Sequence, residues 1–240
     1  MLHKTKILFF VLTFGFIQMS KSDPEPKTKE AIITPIEWIK PTIKSPLVKM
    51  HTDLWLDVDP GHGDGIAIFM AIYSKNFTVH GITATQGNTS GPNALRNTRI
   101  LLSLFHKPEI PIYIGAQTAL TAYTYHLKDD FHGTEGIPAS LLQKSLSLPL
   151  PSPLGSIYQI YLRILSLPSP ITYICAGPST TLALLISSFP DILQKIDRVI
   201  YMAAATLHGN VTPYAEFNVY NDPESLYITL NAPVESIIFP

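Results

Sequence analysis

From Leu54 onward, short apolar runs of strand length alternate with longer runs of helix length. The strand-like runs are Leu54–Val58, Val79–Thr85, Ile112–Ile114, Ile171–Cys175, Arg198–Met202 and Ser236–Phe239. Helical patterns fall between them at Asp64–Ser74, Pro92–Phe105, Leu154–Leu167, Ser179–Phe189 and Pro223–Leu230. Such alternation leaves few topologies. Right-handed crossovers build an open, mostly parallel sheet with flanking helices, an α/β fold of the Rossmann-like kind. Two stretches break the rhythm, 115–140 and 145–153, and the proline-rich second one suits only a loop or an extended edge. With 240 residues, 46% of them hydrophobic and only 15% charged, the chain has material for one well-buried domain.

The segment that carries chemistry is 54–65, LWLDVDPGHGDG. An apolar strand delivers Asp57 and Asp59 into a Pro-Gly turn, and Asp64 follows ahead of an apolar helix. Open α/β sheets bind their ligands at the carboxyl ends of strands. Clustered carboxylates repel one another unless a proton or a cation intervenes, and a hard, oxygen-seeking ion such as Ca²⁺ or Mg²⁺ resolves the repulsion.

A second polar cluster spans 203–224, AAATLHGNVTPYAEFNVYNDPE. Within nine residues it places the amides of Asn210 and Asn218 and the carboxylate of Glu216. Together these supply donors and acceptors for neighbouring hydroxyls, as a polyol requires. The plainer reading is a loop that caps helices, and Asn221-Asp222-Pro223-Glu224 has the form of a helix start.

The amino terminus carries basic residues, the apolar run Ile7–Ile17 and then Ser20-Lys21-Ser22, the order of a secretory signal peptide ending near residue 22. The run is short for a membrane span, so the expectation is a secreted or lumenal protein with no membrane partner once the leader is removed. Residues 23–50 hold five prolines among lysines and threonines and read as a linker or arm. Cys175 is the only cysteine, so no internal disulfide can form. A net charge of −1 offers no basic footprint for nucleic acid. Asn76-Phe77-Thr78 is a glycosylation sequon between a predicted helix and strand; Asn88-Thr89-Ser90 and Asn210-Val211-Thr212 also fit the pattern.

Five segments together resemble the inosine–uridine-preferring nucleoside hydrolase family: DVDPGHGDGIA at 57–67, TATQGN at 83–88, HGTEG at 132–136, ICAGPSTTLA at 174–183 and GNVTPYAEFNVYNDPE at 209–224. The resemblance implies a nucleoside hydrolase-like domain over 51–240. It further implies a Ca²⁺-dependent N-glycosidase that splits a small-molecule ribonucleoside into base and ribose, in a family that forms homo-oligomers. By the same resemblance Asp59 ligates calcium and deprotonates the attacking water, Asp64 is a second ligand, and the backbone carbonyl of Ala176 is a third. Asn88, Asn210, Glu216 and Asn218 match positions that hold ribose hydroxyls. Asp57 orients the ligands, and His132 either lines the pocket or is structural.

Three departures from the family pattern bear on activity. The opening motif ordinarily reads D-x-D-P-G-x-D-D-A, but Gly63 stands where a ribose-binding Asp is expected. A charge-assisted hydrogen bond of that kind is worth about 1.5–3 kcal/mol. Met202-Ala203-Ala204-Ala205 stands where the family usually has a Gly-Gly pair that lets backbone approach closely. A His-Asp pair expected after the last strand does not precede Pro240. The domain is therefore expected to be incomplete at its C-terminus, and two readings stay open: a hydrolase with impaired activity, or a secreted non-catalytic binder of ribose or nucleoside. A phosphatase of the haloacid-dehalogenase type, with Asp57 as nucleophile, fits neither Pro60-Gly61 nor the loop at 209–218.

Overall fold

The computed structural model describes residues 51–121, 131–145 and 150–240. The leader and the proline-rich arm read over residues 1–22 and 23–50 lie outside the described residues.

Six strands form one sheet: β1 (Thr52–Val58), β2 (Phe77–Ala84), β3 (Ile112–Ile114), β4 (Ile171–Cys175), β5 (Ile196–Met202) and β6 (Glu235–Phe239). Their spatial order is β3-β2-β1-β4-β5-β6 and every pairing is parallel. The helices are α1 (His62–Tyr73), α2 (Gly91–Leu104), α3 (Ala139–Ser145), α4 (Ile157–Leu165), α5 (Thr180–Ser188), α6 (Phe217–Asn221) and α7 (Pro223–Leu230), with a 3₁₀ turn at Pro190–Lys195. The chain order turns outward in both directions from β1 and β4. Their carboxyl ends thus flank the crevice where such sheets take their ligands.

The period-2 pattern of β1 assigns its faces. Leu54, Leu56 and Val58 pack with Ile68 of α1 and Leu101 and Leu102 of α2. Trp55 points the other way, into a core built with Tyr113, Ile160, Ile164, Tyr173, Leu182 and Leu185. Asp57 shares that second face, so the strand pattern alone commits a carboxylate to the interior. The free Cys175 is buried beside it, and burial pushes its thiol pKa well up.

One element boundary departs from the sequence reading where the backbone finds a partner outside the helix. The helix expected from Leu154 begins only at Ile157, because 154–155 runs extended beside β3: Leu154 N donates to Ile112 O at 2.8 Å and Ile114 N to Gly155 O at 2.6 Å. Two helical stripes stay exposed, Ile66, Phe69 and Tyr73 on α1 and Tyr158, Leu162 and Leu165 on α4. Among the described residues, no helix is long and apolar enough to cross a membrane.

Candidate active site

β1 ends in the turn that carries the acidic cluster, and the turn feeds directly into α1. Asp57 and Asp59 are fully buried and Asp64, in the first turn of α1, nearly so. Asp64 Oδ2 accepts from Gly61 N at 3.1 Å, closing the helix start, and from Asn88 Nδ2 at 3.2 Å. Asp59 Oδ2 accepts from Asn88 N at 2.6 Å. Asn88, just beyond β2, thereby ties the two carboxylates together. Asp57 Oδ2 accepts from the Tyr173 hydroxyl at 3.1 Å, so Asp57 is anchored inside the sheet, away from solvent. That position leaves no access for a nucleophile.

Each of the three carboxylates keeps one buried oxygen without a hydrogen-bond partner: Asp57 Oδ1, Asp59 Oδ1 and Asp64 Oδ1. Burial pushes all three pKa values up, and for Asp59 the neighbouring Asp64 charge adds to it. A buried carboxylate oxygen left unpaired is costly, and a divalent cation is the partner that relieves such a cluster at neutral pH. The donor set therefore fits a hard cation. Among the described residues, no group of three or more His, Cys, Asp or Glu side chains is arranged to hold a metal. The fit rests on two carboxylates supplemented by a carbonyl.

That carbonyl is in place. Ala176 follows β4, and its N–H bonds Asp57 O at 2.9 Å, which sets it beside the end of β1. Ala176 O accepts from Asn218 Nδ2 at 2.9 Å and has a second lone pair left. Two glycines make the enclosure of Asp59 feasible. A Cβ at Gly177 would lie 2.8 Å from Asp59 Cγ, and one at Gly87 would overlap the Asp59 carboxylate.

The second polar cluster lies beyond β5. Asn218 is buried and spans two strand ends, its Nδ2 also donating to Met202 O at 2.8 Å. Glu216 caps α6, accepting from Asn218 N at 2.9 Å and Val219 N at 3.1 Å. Burial raises its carboxyl to about 7 despite those donors. The capping reading is thus realised for Glu216 and leaves its side chain at the end of the sheet. A recess with room for little more than a water molecule, lined by Gly177, Ser179, Met202, Ala203, Asn218 and Leu226 among others, adjoins the acidic cluster rather than containing it. Asn210 is exposed on the loop between β5 and α6. In that loop Gly209 N donates to Pro213 O at 3.1 Å, and no hydrogen bond joins the Asn210 side chain to the other candidate residues. Ala204, within the segment where a glycine pair is expected, adopts φ 68°, the left-handed region that glycine enters freely.

His132 sits over the acidic turn. His62 N donates to His132 Nδ1 at 3.3 Å, the two imidazole Nδ1 atoms are 3.1 Å apart, and a Cβ at Gly61 would come within 2.7 Å of the ring. The loop that carries it is held by a residue the sequence reading passed over. Asn97 of α2, fully buried, donates to Glu135 O at 2.7 Å and Pro60 O at 3.4 Å. Arg96 adds an ion pair to Glu135 at 2.7 Å. Gly87, Gly177, Tyr173 and Asn97 were all missed. Only the two glycines had a signal, as small residues immediately after strands on either side of the crevice.

Comparison with known proteins agrees with this geometry. The sequence profile of the inosine-uridine preferring nucleoside hydrolases matches residues 54–240. The pyrimidine-specific ribonucleoside hydrolase RihA of Salmonella typhi is 34% identical over 190 residues, covering 79% of this chain and 60% of RihA. A plant nucleoside hydrolase, PpNRh1, superposes with a TM-score of 0.70 at 28% identity, over 78% of this chain and 59% of that one. The purine-preferring ribonucleoside hydrolase of Gardnerella vaginalis gives a TM-score of 0.68 at 26% identity, over 78% and 60%. The chain spans about 60% of the length of these relatives. With the acidic turn, the carbonyl after β4 and the Glu-Phe-Asn helix start all at the carboxyl edge of one parallel sheet, this chain belongs to the inosine–uridine-preferring nucleoside hydrolase family.

Proposed function

We propose that this protein hydrolyses the N-glycosidic bond of a ribonucleoside, with Ca²⁺ held by Asp59, Asp64 and the carbonyl of Ala176. The observation that carries the reading is the pair of unpartnered, buried oxygens Asp59 Oδ1 and Asp64 Oδ1 at the crevice between β1 and β4. Held by these residues, calcium would supply positive charge for sugar hydroxyls and for lowering the pKa of a neighbouring water. The Asp59 carboxylate also takes the proton of the attacking water, and Asn88 N fixes its orientation through Oδ2. Asp64 places negative charge near an anomeric carbon that becomes oxocarbenium-like, and Asp57 orients the ligands from inside the sheet. Asn88, Asn210, Glu216 and Asn218 hold the ribose, and His132 stands over the turn.

The relatives are named for different bases, pyrimidine-specific in one case and purine-preferring in another. The ribose end is what they have in common, and the assignment is to the ribonucleoside class. The apolar run at 7–17 supports secretion, and the exposed stripes on α1 and α4 support assembly into a homo-oligomer. The test is release of free base from inosine and from uridine, with calcium and with a chelator. Release that stops on chelation supports the reading, and none from calcium-loaded protein overturns it. Gly63 favours a second reading, a non-catalytic ribose or nucleoside binder, which calorimetry separates by showing binding without turnover.

A further inference from the structure

We propose that Asn76 is N-glycosylated and that, of the two further sequons, the one at Asn88 is not. Asn76 lies in the turn between α1 and β2, and its main chain is committed: its N–H bonds Ser74 Oγ at 3.2 Å and its carbonyl accepts from Thr52 N at 2.8 Å. Its carboxamide makes no hydrogen bond among the described residues. Thr78, which completes the sequon, is exposed on the second residue of β2. Nothing in this turn needs the amide hydrogens that a sugar would replace.

Position separates this sequon from the others. Phe77 pairs with Thr52 at the amino end of β1, whereas Asp57 pairs with Thr83 near the carboxyl end. At about 3.3 Å per residue the two ends of the strand are roughly 17 Å apart. A glycan on Asn76 therefore leaves the molecule on the side opposite the acidic cluster. Asn88 is the reverse case: its Nδ2 donates to Asp64 and its N–H to Asp59, so an oligosaccharide there would be driven against buried carboxylates. Asn210 is exposed, and a glycan there would overhang the loop that leads to Glu216. Since transfer occurs on the incoming chain, the fold decides which glycosylated chain can reach this structure.

The step needs a lipid-pyrophosphate-linked oligosaccharide as donor. The Asn76 Nδ2–C1 bond forms as the C1–O bond to pyrophosphate breaks, Nδ2 gives up one proton, the lipid pyrophosphate leaves with the electron pair, and nothing is oxidised or reduced. The proposal rests on the secretory reading of residues 1–22. The full chain would be expressed with its own leader in a secreting eukaryotic host and digested with peptide N-glycosidase in ¹⁸O-water. Expected are a gel shift that collapses on digestion, ¹⁸O at position 76, loss of that label with a smaller gel shift in Asn76→Gln and Thr78→Ala, and retention of both in Thr78→Ser. A secreted chain unmodified at position 76, or label at position 88, overturns the assignment. A parallel chain with residues 1–22 replaced by a proven cleavable leader separates the causes. Modification only in that chain fells the secretory reading and this proposal together. No modification at position 76 in either chain fells the assignment of Asn76 alone.

Discussion

Glu216 offers the sharpest quantitative test of the site's electrostatics. Its carboxyl is buried at the start of α6, and burial outweighs the helix-capping donors Asn218 N and Val219 N to raise its pKa from 4.5 to about 7. Folding therefore favours the protonated form. The associated stability is fully present below pH 4.5 and is lost as pH rises through about 7. At 1.36 kcal/mol per pH unit, the interval corresponds to about 3 kcal/mol. Glu216→Gln keeps one capping oxygen and removes the titration. Urea denaturation of both proteins in chelator, from pH 4.5 to pH 8, isolates this group, because Asp57, Asp59 and Asp64 titrate in both and cancel. The wild type should lose about 3 kcal/mol relative to the variant across that range. Parallel stability profiles, or a wild type that gains on the variant with rising pH, would refute the reasoning.

Other expectations follow from close contacts. Gly87→Ala places a methyl group on the Asp59 carboxylate and should cost about 1–3 kcal/mol while weakening calcium binding, measured by denaturation and calorimetry. Ala204→Gly relieves a left-handed alanine at φ 68° and should stabilise the fold by about 0.5–1 kcal/mol by thermal melting; a lower melting temperature would contradict the strain. Asn97→Ala strands the buried carbonyl of Pro60, leaves Glu135 O with Arg96 Nη2 as its remaining donor, and should cost about 2 kcal/mol. Amide exchange over 131–137 should accelerate with it, and unchanged protection would show that the loop is held by other means.

The sheet was legible because burial imposes its own period. All six strands were found in the sequence, three of them to the residue at both termini or nearly so, since Ile112–Ile114, Ile171–Cys175 and the β6 run are apolar stretches bounded by proline, glycine or turn residues. The parallel direction of the strands came from connection rules rather than from any residue, and their order was seen only in the fold. α6 was missed because five residues carry too little periodicity, and Glu216 read as a ligand before it read as a cap. The acidic turn, the Ala176 carbonyl and the link from Asn88 to both aspartates lay in motifs long enough to recognise. Tyr173 and Asn97 did not, because a buried tyrosine in a strand and an asparagine in a helix look like packing until their partners are seen across more than 30 residues of chain.

The account stands on Asp59 and Asp64 sharing one cation. A calorimetric titration of the full chain with CaCl₂ at pH 6 and pH 8, beside Asp59→Asn and Asp64→Asn, measures that directly. Both carboxyl pKa values are raised, so binding should release protons and tighten with pH, at a single site that either substitution abolishes. Absence of binding at millimolar calcium, or binding that survives both substitutions, would contradict it.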